Sequence, residues 1–113
     1  MGYGFFMQTA PDALFKSLAD PTRRALFERL SRDGAQTVRM LTDKSGVSQP
    51  AVSKHLRVLK HAGLVQARHR GRETHYSAQP RALEPLLDWM SYYSRFWHER
   101  FDRLEPLLKR MDP

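Results

Sequence analysis

A mostly helical single domain with one small β-hairpin is the fold class this sequence predicts, on three observations. Capping residues recur through the first half of the chain, each followed by apolar residues at helical spacing. Two short segments, 65–69 and 72–77, flank Gly71 in the manner of a hairpin. The last third holds one amphipathic period from Leu83 to Met111. A length of 113 residues suits one domain with one modest core.

The elements follow in order. Residues 1–9 read as an N-terminal tail whose Tyr3, Phe5 and Phe6 could dock on the body, and residues 10–113 as the domain. Ala10 to Ala19 forms a short helix with Leu14, Phe15 and Leu18 on one side. Asp20-Pro21 restarts the chain as a second helix: the carboxylate accepts from free amides, and a first-turn proline forfeits no helical bond. That helix should bury Ala25, Leu26, Phe27 and Leu30 and stop at Gly34. Thr37 caps a third helix, with Val38, Met40 and Leu41 as core candidates, ending at Ser45-Gly46.

Ser48 caps a fourth helix, Gln49 to Ala62, with Pro50 harmless in its first turn and Gly63 closing it. At about 100° per residue, Val52, Leu56 and Leu59 share one side, flanked by Ala51, His55 and Val58. Pro50, Ser53, Lys54, Arg57, Lys60 and His61 share the other. The helix therefore has an apolar back and a basic front. The hairpin that follows places Arg68, Arg70 and Arg72 near its tip, and is too poor in apolar residues to stand without the helical body.

The long last helix, from about Leu83 to residue 110, carries two apolar rows. Leu83, Leu87, Met90, Ser94, Trp97, Phe101, Leu104, Leu108 and Met111 follow a strict 4-3 spacing, and Leu86, Trp89, Tyr93 and Phe96 run beside them. One row can pack inward, while the 3.5-residue period of the other suits a partner helix. Pro85 and Pro106 leave bends open, and the regular seam is expected over Leu87 to Leu104.

Charge is segregated. The net charge is +7, and from Lys44 to Arg72 there are seven bases (Lys44, Lys54, Arg57, Lys60, Arg68, Arg70, Arg72) and no acid. Nineteen basic residues less these seven leaves twelve, against twelve acids elsewhere. A positive field confined to one span is the footprint of a polyanion-binding surface. Membrane is disfavoured as the polyanion, because Val52, Leu56 and Leu59 suit a globular core better than a bilayer-facing stripe.

Several classes drop out. The absence of cysteine removes disulfides, thiolate metal sites and thiol catalysis. No apolar run approaches the length of a spanning helix, no secretion signal leads the chain, and Phe6 stands where a myristoylation motif needs Ser or Thr. The expected location is the cytoplasm. No nucleophile turn, glycine-rich phosphate loop or carboxylate pair marks an enzyme, and no cofactor is expected.

The order helix, helix, short helix, turn, basic-fronted helix, hairpin, long helix is the winged helix-turn-helix plan. Here "LADPTRRALFERL" (18–30), "VSQPAVSKHLRVLKHAGLV" (47–65) and "RGRETHYS" (70–77) resemble the ArsR family of bacterial dimeric repressors. The resemblance covers most of residues 10–104. It implies that the helix at 48–62 enters a DNA major groove with Gln49, Ser53, Lys54 and Arg57 toward the bases. Gln can pair with adenine and Arg or Lys with guanine. It further implies that Ser48 and its helix start seat a phosphate, and that Arg68, Arg70 and Arg72 of the wing reach backbone or the minor groove. Family dimers join through the first and last helices, here Leu14 and Phe15 with Leu87, Met90, Trp97, Phe101 and Leu104.

Metal-sensing members of that family use cysteines near the third helix, or carboxylate and His ligands on the last one. This chain offers only His98 with Asp102 and scattered carboxylates, so no metal site is expected. A small-molecule effector, if one exists, would find its best pocket between Trp89 and Trp97. His55 is expected as a hydrogen-bonded histidine on the buried side, and His61, His69 and His75 as solvated or phosphate-facing. The reading is a homodimeric, sequence-specific repressor on an inverted-repeat operator in double-stranded DNA. A winged-helix protein-interaction module and a double-stranded RNA binder are the alternatives.

Overall fold

The computed structural model describes the backbone of residues 2–111 and the side chains of residues 11–110. Its elements are α1 (Gly2–Ala19), α2 (Pro21–Asp33), β1 (Gln36–Thr37), α3 (Val38–Thr42), α4 (Gln49–His61), β2 (Val65–Arg70), β3 (Glu73–Ala78), a 3₁₀ turn (Pro80–Leu83) and α5 (Glu84–Met111). Helix α1 begins at Gly2, so the stretch read as a tail continues the helix: Pro11 inside it removes a single amide donor and does not end it. The expected docking of Tyr3, Phe5 and Phe6 lies outside the described side chains.

The three side-chain caps form as the sequence predicts. Asp20 Oδ2 accepts from the Arg23 amide at 2.9 Å, Thr37 Oγ1 from the Met40 amide at 3.2 Å, and Ser48 Oγ from the Ala51 amide at 3.3 Å. Helix α2 ends at Gly34, whose φ of 84° and ψ of −166° are open essentially to glycine alone. Helix α4 closes with the Leu64 amide on the Leu59 carbonyl and the Gly63 amide on the Lys60 carbonyl, with Gly63 at φ 80°. This glycine closure swings the chain directly from α4 into the hairpin, while Leu59 and Leu64 are both buried.

The core unites Leu14 of α1, Leu26, Phe27 and Leu30 of α2, Leu41 of α3, Val52, Leu56 and Leu59 of α4, and Leu64-Val65 at the start of β2. Two core expectations fail. Ala25 is exposed, because Leu26, Phe27 and Leu30 fix the inward side of α2 and Ala25 lies about 150° from its centre. Met40 is 49% exposed, since the five-residue α3 turns only Leu41 fully inward.

The expected two-stranded wing forms from β2 and β3, and β1 joins it as a third antiparallel strand in the order β1-β3-β2. Gln36 pairs with Tyr76 and Thr37 with His75, so β1 covers the inner edge of the hairpin and ties it to the body. At the tip Arg70 pairs with Glu73, leaving Gly71-Arg72 as the two-residue turn, with Gly71 at φ 62°.

Helix α5 leaves the body. Leu83 and Leu86 pack against the core, but every side chain from Leu87 to Arg110 is exposed. The helix runs on through Pro106, which lacks an amide donor and crowds the carbonyl of Asp102 one turn back. The radius of gyration is 19.2 Å, against about 13 Å for a compact chain of this length.

The amide of Arg23 is the main reason the Asp20 carboxyl titrates below the usual carboxylate range. A depressed carboxylate stabilises the fold above that range and stops doing so as acid protonates it. Asp20→Ala should therefore lower the thermal midpoint at neutral pH while Asp20→Asn keeps most of it. The gap between wild type and Asp20→Ala should close as pH falls through the carboxylate range. A gap that stays constant down to pH 2 would contradict the role of the ionised cap.

Candidate nucleic-acid interface

The interface begins with the way α4 is held. Val52, Leu56 and Leu59 are completely buried, which decides the side of the helix that faces out. With the back row seated, Ser48, Gln49, Lys54, Arg57 and Lys60 are exposed and Ser53 is half-buried. Ser48 spends its oxygen on the Ala51 amide, so its hydroxyl proton stays available at a helix start with no acid in its first turn.

Three arginines of α2, outside the acid-free span, are occupied with backbone. Arg23 donates from Nε to the Ser17 carbonyl at 2.8 Å and from its terminal nitrogen to the Lys16 carbonyl at 3.0 Å, and Arg24 reaches Leu18 at 2.7 Å. Together they satisfy the orphan carbonyls at the end of α1. Arg29 does the same for α3, donating to the carbonyls of Met40 at 2.8 Å, Leu41 at 3.2 Å and Asp43 at 2.8 Å. These guanidinium groups hold α2 against its neighbours. The sequence reading missed them because the carbonyls they meet belong to other elements.

The seven bases of the acid-free span behave differently. Lys44, Lys54, Arg57, Lys60, Arg68, Arg70 and Arg72 are all exposed, and among the described residues none of them forms an ion pair. Lys44 sits in the turn between α3 and α4 at φ 65°, beside a groove shared by Arg39 and Gln49. Arg39 is a further exposed cation there that the sequence reading did not single out; its signal was a place on the helix preceding the basic one. On the hairpin His69 Nδ1 meets Thr74 Oγ1 at 2.9 Å across a paired position, and His75 lies 3.5 Å from Glu73. His75 thus packs on the wing beside an acid.

His55 is where its expected role puts it: half-buried on the inner side of α4, 3.4 Å from Arg23 and 4.0 Å from Asp20. His61 is exposed at the end of α4. Among the described residues no three His, Cys, Asp or Glu side chains come together as a metal-holding group, and His98 and Asp102 stand exposed on α5.

The second surface is apolar. Of the residues expected at a dimer interface, Phe15, Leu87, Met90, Trp97, Phe101 and Leu104 are 43–58% exposed. Leu14 is not: it is 3% exposed in the core, because the inward side of α1 carries Leu14 and Ser17 while Phe15 lies one step round. Phe15 meets Trp89 edge-on at 5.2 Å, and Trp89 leans on Tyr93 at 4.8 Å. Tyr93 and Phe96 of the row expected to pack inward are 43% and 49% exposed, since the body ends before them. Trp97 pairs instead with Phe101 at 5.8 Å. Trp89 and Trp97, expected to flank an effector pocket, stand about 12 Å apart along α5. An open groove of about 500 Å³ lies elsewhere, between Ala13 of α1, His61 at the end of α4, and Arg81, Glu84 and Asp88.

Among the described residues no helix is long and apolar enough to cross a membrane. Residues 18–66 match a helix-turn-helix domain family, covering α2 through the start of β2. The chain is 43% identical over 88 residues to the HTH-type transcriptional regulator Rv2034 of Mycobacterium tuberculosis, covering 78% of each. It is 31% identical over 77 residues to the transcriptional repressor SdpR of Bacillus subtilis, covering 68% of this chain and 84% of that one. The fold superposes on a crystal structure of an ArsR-family transcriptional regulator, RHA00566, with a TM-score of 0.71 and 29% identity over 79% of this chain and 91% of the other. A three-helix unit with an exposed basic helix, a β wing and a long terminal helix, joined to these likenesses, makes one assignment: the chain belongs to the ArsR family of winged helix-turn-helix transcriptional regulators, which bind DNA and are not enzymes.

Proposed function

We propose that the protein is a homodimeric repressor that binds an inverted repeat in double-stranded DNA, in the cytoplasm and without a metal. The observation that carries the DNA contact is the set of seven exposed, unpaired cations on α4, the turn before it and the wing. Phosphates are their natural counter-charges, and neutralising them releases condensed cations from the duplex. In this reading Gln49, Ser53, Lys54 and Arg57 face base edges in the major groove. Ser48 seats a phosphate at the helix start, and Arg68, Arg70 and Arg72 reach backbone or minor groove.

Pairing is supported by the exposed apolar rows of α5. A soluble monomer rarely leaves so long an aromatic and leucine face to water. A second copy of the same helix supplies a matching 3.5-residue period, with Phe15 at the edge of the contact. Repression is the activity named for the Bacillus relative, and occupancy of a promoter by a dimer would exclude polymerase. A metal-independent mode fits the lack of cysteine and the isolation of His98 with Asp102.

Selection from random duplexes with the purified protein, followed by footprinting, tests the reading. Two protected half-sites about 34–36 Å apart should emerge. Binding with no preference among duplexes, or tighter binding to duplex RNA, would overturn it. On the selected duplex, Gln49→Ala should cost about 1–3 kcal/mol at one base position and relax its preference. Arg72→Ala should weaken all duplexes alike and flatten the salt slope by about one unit. An unchanged slope would remove Arg72 from the contact. Trp97→Ala and Phe101→Arg should each shift sedimentation toward monomer and lower operator affinity in parallel. An intact dimer in both variants would refute the seam on α5.

A further inference from the structure

We propose that Arg23 is the positioning residue through which the dimer helix sets the orientation of the DNA-reading helix, acting by way of His55. The proposal rests on the dimeric DNA-binding reading above and assigns a role to two residues that touch neither partner nor DNA in it.

One guanidinium joins three helices. It grows from the first turn of α2, donates to the Ser17 and Lys16 carbonyls at the end of α1, and points its third nitrogen at His55 Nδ1 of α4, 3.4 Å away. Arginine has no acceptor, so in this contact Nδ1 must accept and the ring proton must sit on Nε2. The other charged group at His55 is Asp20, whose Oδ2 lies 4.0 Å from the same nitrogen while it caps the Arg23 amide. The His55 side chain is 19% exposed, on the inner side of α4 beside the row that anchors the helix.

From α1 the connection continues to α5. Phe15 precedes the two carbonyls that Arg23 holds, and its ring abuts Trp89 at 5.2 Å. The contiguous path is thus Trp89 of α5, Phe15 of α1, the Lys16 and Ser17 carbonyls, Arg23, then His55 of α4. The physical reason for it to matter is directionality. Val52, Leu56 and Leu59 hold α4 by apolar burial, which is non-directional and tolerates a small rotation. A planar guanidinium fork with fixed donor directions does not. Each α4 can read its own half-site without the fork. Holding two α4 helices at one separation across the dimer requires it.

The test uses the duplex selected by the wild-type protein, the same duplex with one half-site scrambled, and the same duplex with two base pairs inserted at its centre. His55→Leu leaves the Arg23 caps on α1 in place and removes only the link to α4. His55→Asn keeps an acceptor near the Nδ1 position. His55→Leu should stay dimeric and bind the single half-site within about twofold of wild type, while its advantage on two half-sites falls on the order of tenfold. Its penalty for the insertion should shrink as well. His55→Asn should retain both wild-type properties, and Arg23→Gln should reproduce His55→Leu. The proposal is overturned if His55→Leu keeps the wild-type advantage and insertion penalty. It is equally overturned if single and double half-sites weaken together, or if His55→Asn fails as His55→Leu does. A wild-type protein with no advantage on two half-sites would instead sink the paired reading itself, and the positioning role with it.

Discussion

Seven cations can stand unpaired on this molecule because the helix that carries three of them is held from behind without charge. Val52, Leu56 and Leu59 lose all contact with water, and that burial fixes which side of α4 faces out. Burial of this kind contributes on the order of 1.5–3 kcal/mol for each side chain and makes no demand on the charge of the opposite face. Lys54, Arg57 and Lys60 are therefore free to repel one another in solution, a cost that a polyanion removes on binding. The glycine closure at Gly63 then carries the chain straight into the wing, so Arg68, Arg70 and Arg72 arrive from the end of the same helix.

Three arginines of α2 show the opposite use of the same group. Arg23, Arg24 and Arg29 are turned onto carbonyls at the ends of α1 and α3, where a planar fork satisfies several acceptors at once. In a domain with so small a core, these polar ties fix the angles between helices that apolar packing alone leaves loose. These guanidinium groups are spent inside the fold, whereas the seven bases of the acid-free span are presented to solvent.

What was legible in the sequence was local. Asp20, Thr37 and Ser48 each cap an amide three residues on, so the signal and its partner sit in one short window. The seating of Val52, Leu56 and Leu59 follows from helical period alone. What was hidden depends on distant partners: β1 is two residues long and exists only because Gln36 and Thr37 meet Tyr76 and His75. Leu14 and Phe15 are neighbours in sequence with opposite fates, since Leu14 faces the helical body and Phe15, one step round α1, meets Trp89 at its edge. The apolar rows of α5 were visible, but the body's early end, which exposes Tyr93 and Phe96, was not.

Neutralisation of phosphates by the presented cations is read out by the affinity of the wild-type protein for its selected duplex across a range of salt concentrations. Log affinity should fall steeply with log salt, by about 0.9 for each of several phosphates neutralised. A slope near zero, with affinity carried undiminished into high salt, would contradict it.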